Sequence, residues 1–130
     1  FTEPQIAQVG LSCDEAEARC GDQLAVGGAS MRNQGRARTL GRDRGEIRLF
    51  GQHGTRRFLG AELFGPEMEH VAHLLAWAAQ QRMTVPEMLD MPFYHPVIEE
   101  GLRTALRDLN GAMKQTATDI DECLDCGPGT

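Results

Sequence analysis

The chain has little with which to enter or hold a membrane. No apolar run approaches the roughly 18 residues that a span requires, and Phe1-Thr2 opens it with no initiator Met, basic segment or apolar leader. A signal peptide is therefore not expected, and a cytoplasmic protein is. Positive charge is short as well. The 13 basic residues face 19 acidic ones for a net charge of −6, and Lys114 is the only lysine. That balance gives no general reason to expect nucleic acid or an anionic membrane as partner. Cysteine is confined to Cys13, Cys20, Cys123 and Cys126. A chain of 130 residues with 41% hydrophobic content can close one core without covalent staples, so reduced thiols are expected. The length fits one domain.

What is present runs strands first and helices later. Residues 6–11 read as a short strand. Ser12, with Glu15 three positions on, reads as the capping box of a short helix that Gly21 stops. Residues 24–33 read as a strand in which Gly27-Gly28 allows a bulge. Residues 45–51 alternate, with Ile47 and Leu49 on one face, and 58–64 form a second such run. The turn residues between them pair the two as an antiparallel hairpin. Pro66 takes a first helical position. From there to Gln81, Met68, Val71, Ala72, Leu75, Ala78 and Ala79 recur at helical spacing. Thr84 and Glu87 box a short helix over 85–89. Val97, Leu102, Ala105, Leu106 and Leu109 predict another from Pro96 or Val97 to Leu109. This order predicts an α+β fold, an antiparallel sheet covered on one face by helices. Residues 1–111 make up the domain. Residues 112–130, poor in apolar side chains and acidic between Asp119 and Asp125, are expected to be a mobile tail.

Two segments carry a resemblance. F-T-E-P-Q-I-A-Q-V-G at 1–10 and H-P-V-I-E-E at 95–100 resemble the entry and the His-Pro-Thr-x-x-Glu motif of one family's C-terminal domain. That family contains dihydrolipoamide dehydrogenase, glutathione reductase and mercuric reductase, the pyridine nucleotide–disulfide oxidoreductases. Val97 stands where the family usually has Thr, and Phe93 where lipoamide dehydrogenases often carry a second His. The resemblance implies a dimerisation domain whose parent binds FAD and NAD(P) in upstream domains and carries a redox cysteine pair there. It implies a homodimer in which His95 and Glu100 enter the partner subunit's active site as an acid–base pair. The chain has no Gly-rich nucleotide fingerprint, so the fragment alone is expected to bind neither cofactor and to be inactive. The resemblance also points to a cis His95–Pro96 bond.

The chemistry suits that pair. Dithiol–disulfide exchange needs a thiolate, and a thiol with a pKa of about 8.5 needs a base near neutral pH. Imidazole, near 6.5, is matched to shuttle that proton, and a carboxylate on the far ring nitrogen fixes its tautomer. Pro96 turns the chain away from helix at His95 and lets one start beyond it, so Glu100 can fold back toward the ring. Apolar residues at 91–94 are more than a domain this size easily covers, which favours a symmetric dimer.

Three other signals are weighed. Cys123 and Cys126 have C-x-x-C spacing, which is that of a redox pair on a tail, of half a zinc site, or of incidental cysteines. A metal site is not expected, because the further ligands do not match a known frame. His70 and His73 share a helix face without a metal signature, so packing or solvation is expected of them. Arg32, Arg36, Arg38, Arg42, Arg44, Arg48, Arg56 and Arg57 form the one basic stretch, and only Phe50 and Phe58 interleave it with aromatic rings. It supports a rival reading as a small non-enzymatic module that binds polyanions or an acidic protein through 32–57.

Overall fold

The computed structural model describes residues 4–113. Strands β1 (Gln5–Gly10), β2 (Leu24–Ser30), β3 (Glu46–Gln52) and β4 (Phe58–Gly65) form a single sheet in the order β1-β4-β3-β2, with every pairing antiparallel. The expected hairpin is β3–β4, closed where the Arg56 amide donates to the Gln52 carbonyl at 2.8 Å. Helices α1 (Cys13–Cys20), α2 (Gly35–Thr39), α3 (Met68–Gln80), α4 (Val85–Leu89) and α5 (Glu100–Met113) complete it. The architecture is α+β, as the order of elements predicts.

One continuous core lies between the sheet and helices α3, α4 and α5. Ile47 and Leu49 of β3 and Ala61 and Leu63 of β4 meet Val71 and Leu75 of α3 and Leu102, Leu106 and Leu109 of α5 there. Gly27 lets α5 lie directly on β2, because a Cβ at that position would stand 2.4 Å from the Cα and N of Leu109. The opposite face is covered at one corner, where Ala16 of α1 and Phe50 of β3 are buried apart from the main core. At the outer edge of β2 the Gly28 amide donates to the Asp108 carboxylate of α5 at 2.9 Å.

Several boundaries differ from the sequence reading. The possible bulge at Gly27-Gly28 is not there: β2 and β3 pair without interruption from Leu24↔Gln52 to Ser30↔Glu46, and the irregularity falls between β3 and β4 at Phe50/Gly51. Beyond Ser30 the chain turns through Met31–Asn33 and then forms α2, which the reading missed. Pro66 lies before α3, not inside it. Glu67 follows in a left-handed conformation, and the amide of Glu69 is capped by the Gln5 side chain of β1 at 2.8 Å. Ser12 caps α1 by accepting from the Glu15 amide at 3.2 Å, while Glu15 accepts from the Ser12 hydroxyl at 3.1 Å. The full reciprocal box is present at Thr84 and Glu87. Helix α5 continues past Leu109 to Met113, which is buried. No helix among the described residues is long and apolar enough to cross a membrane.

Candidate functional site

His95 sits in the connection between α4 and α5, and its bond to Pro96 is cis, as expected. The expected helix start at Pro96 or Val97 is displaced to Glu100. Residues 97–99 instead form tight turns, in which the Glu100, Gly101 and Leu102 amides donate to the carbonyls of Val97, Ile98 and Glu99 at 3.4, 2.9 and 2.9 Å. Buried Ile98 and Leu102 anchor that turn to the core.

The Glu100 carboxylate gathers the turn. It accepts from the Val97 amide at 3.2 Å, approaches the Arg103 guanidinium at 3.5 Å, and lies 2.9 Å from Nδ1 of His95. An ionised carboxylate can only accept, so Nδ1 carries the hydrogen and a neutral ring keeps its lone pair on Nε2. The His95 side chain is 80% exposed and that of Glu100 16%. The pair thus has an anchored orienter and an outward-facing imidazole.

The hydrogen bond to His95, then that from Val97, hold the Glu100 carboxyl below its usual value of 4.5, with the charges of His95 and Arg103 assisting against partial desolvation. A carboxyl depressed in the folded state contributes stability that is fully present above the unfolded value and is lost as pH falls through the folded one. Glu100→Gln is therefore expected to flatten the acid limb of the stability–pH curve. Denaturation midpoints with the same pH slope in both proteins would refute this.

The other candidates disperse. His70 Nε2 meets Glu67 at 3.1 Å, whereas His73 packs edge-on to Trp77 at 5.2 Å, so the two do not converge. Glu67, Glu69 and His70 bring ligand atoms within 4.8 Å of one another, but the Arg42 guanidinium holds Glu67 at 3.2 Å and opposes a cation there. The arginine run is spread over several elements, with Arg32, Arg38 and Arg44 bordering one cleft together with Asp43 and Glu46. Arg48 lies opposite Glu62 in the sheet, Arg42 pairs with Glu67, and Arg36 is carried on α2. Cys13 and Cys20 are free thiols, and partial burial with the Glu17 carboxylate pushes the Cys13 thiol up, away from reactivity. Cys123 and Cys126 lie outside the described residues. Sequence reasoning missed Arg103. Its place one turn beyond Glu100 on a helical pattern was the available signal.

An all-antiparallel sheet with helices on it and a His95–Glu100 pair whose ring is turned outward defines an α+β domain. Doubly wound sheets bind dinucleotides at the carboxyl ends of parallel strands, and the described residues offer no parallel pair. The chain belongs to the pyridine nucleotide-disulphide oxidoreductase dimerisation-domain family, whose model matches residues 1–106. It is 34% identical over 115 residues to mercuric reductase of Acidithiobacillus ferrooxidans, covering 88% of this chain and 21% of that protein. Dihydrolipoyl dehydrogenase of Rhizobium etli is 31% identical over 112 residues, covering 85% and 23%. The structure of LpdA from Mycobacterium tuberculosis superposes with a TM-score of 0.74 at 24% identity, covering 82% and 23%. That of the HOCl-induced flavoprotein disulfide reductase RclA from Escherichia coli, in its Cu(II) complex, gives 0.76 at 22%, covering 82% and 24%. The chain thus spans about a fifth to a quarter of the length of these relatives.

Proposed function

We propose that this domain forms a homodimer within a FAD- and NAD(P)-dependent disulfide oxidoreductase and lends His95 and Glu100 to the partner subunit's dithiol–disulfide site. The observation that carries the reading is the exposed His95 ring held at Nδ1 by Glu100 at 2.9 Å. The ring points outward, open to a group on another surface. Met91 and Tyr94, 51% and 79% exposed beside it, supply apolar area for an interface.

His95 Nε2 takes the proton of a cysteine thiol as the sulfur attacks one sulfur of a disulfide. The S–S bond breaks, and the proton returns to the sulfur that leaves as thiolate. Glu100 keeps the ring in the tautomer that accepts at Nε2 and stabilises the imidazolium formed in between. FAD and the nicotinamide would be held by other domains of the parent chain and would carry the electrons for the disulfide. A reducing compartment such as the cytoplasm suits thiols of this kind.

Mixed dimers of the full-length protein test the arrangement. One inactive variant carries His95→Gln, and the other has the redox cysteines changed to serine. Random reassembly in equal amounts makes about half the dimers mixed, each with one complete site, so roughly a quarter of wild-type activity is expected to return. Continued inactivity of a demonstrably mixed population would remove the claim that His95 acts across the subunit boundary.

A further inference from the structure

We infer that the cleft beside His95 binds the carboxylates of an anionic disulfide substrate, an assignment that rests on the acid–base role proposed for His95. The cleft measures about 510 Å³ and is bordered by His95, Glu100, Arg36, Arg103, Thr104 and Arg107. That size is in the range that small-molecule ligands occupy.

Its charge is unbalanced. Three guanidinium groups face one carboxylate, and Glu100 is already engaged by His95, Val97 and Arg103. Arg103 is doubly held, by Glu100 at 3.5 Å and over the Phe93 ring at 5.4 Å. The guanidinium groups of Arg36 and Arg107 have no hydrogen-bond or ion-pair partner among the described residues. In a chain of net charge −6 this is a local positive site with its donors unused. A guanidinium fork matches a carboxylate in two parallel hydrogen bonds.

The walls are also fixed relative to each other. Gln34 is 92% buried, with a relative exposure of 8%. Its amide donates to the Val97 carbonyl at 2.9 Å, and its oxygen accepts from the Ala37 amide of α2. One buried side chain therefore bolts the helix that carries Arg36 to the turn that carries His95. Such a polar group makes the spacing of arginine and imidazole a property of the fold, as a binding site requires.

A carboxylate seated on Arg36 and Arg107 would share one cleft with the imidazole. The disulfide served would then be a small molecule that carries acid groups.

The test uses the full-length protein and two disulfides, 3,3′-dithiodipropionate with two carboxylates and 2-hydroxyethyl disulfide with none. Arg36→Gln and Arg107→Gln are each expected to lower the ratio of kcat/KM for the acid to that for the alcohol by roughly tenfold, mainly through KM. The wild-type ratio should fall as salt is raised. An unchanged ratio in both variants would overturn the inference, as would dissociation of the dimer in sedimentation, which would make these arginines inter-subunit ion pairs. His95→Gln separates the two readings. If it leaves exchange untouched while the arginine variants still shift the ratio, the acid–base role fails and the cleft stands. If it slows exchange and the ratio never moves, the cleft fails and the acid–base role stands.

Discussion

In the full-length protein, His95→Gln is expected to slow thiol–disulfide exchange by about 10²–10⁴-fold, the usual loss on removing one positioned acid–base. Glutamine keeps a polar side chain of moderate size but cannot take up a proton at any working pH. The ring it replaces is largely solvent-exposed, so the fold loses little by the change. Glu100→Gln is expected to cost less, because the proton carrier stays and only its orientation and charge partner go. Stopped flow separates this step from reduction of the flavin by the nicotinamide, which requires no proton from His95 and should keep its rate. A variant slow in flavin reduction and normal in thiol exchange would show that His95 has been given the wrong task.

Gly27→Ala is expected to destabilise the domain by about 1–3 kcal/mol, the usual range for forcing extra volume into a packed core. The new methyl would meet the backbone of Leu109 at 2.4 Å. A helix backbone cannot swing aside as a side-chain tip can, so α5 must lift from β2. Leu106 and Leu109, both wholly buried, would lose contact with the sheet. Gly111 on the same helix makes the contrast. It is exposed, and a Cβ there meets nothing within 4 Å, so Gly111→Ala should stabilise by about 0.5–1 kcal/mol through helix propensity. Urea denaturation of the chain reads both changes. Two substitutions of the same sign would mean that the close approach of α5 to β2 does not govern stability.

The elements that were legible in the sequence are those whose signals are local. The β3–β4 hairpin follows from alternation and turn residues, α4 from its Thr84–Glu87 box, and α3 from a stripe of apolar residues at helical spacing. What escaped depends on distant partners. Pro66 looked like a helix start, but the cap of α3 comes from Gln5, remote in sequence. Gly111 looked like a terminator, but burial of Met113 draws α5 onward. Helix α2 has little apolar pattern of its own and is held by Gln34, whose other bond reaches Val97. The site divides in the same way. His95 and Glu100 are close in sequence and could be named as a motif, whereas the arginine cleft exists only once α2 has been brought against the start of α5.

The bond from the Gly28 amide to Asp108 bears on how copies of this domain avoid one another. An open strand edge is a template for unlimited strand addition, the route by which sheets grow into fibres. Here β2 forms one edge of the sheet, and a carboxylate from the overlying helix already occupies one of its outward-facing donors. An incoming strand would have to displace that side chain and leave a negative charge against its own carbonyls. Association through the edge is discouraged while other surfaces stay open, so a chain whose family assembles through this domain can stop at a closed, finite complex instead of continuing into an aggregate.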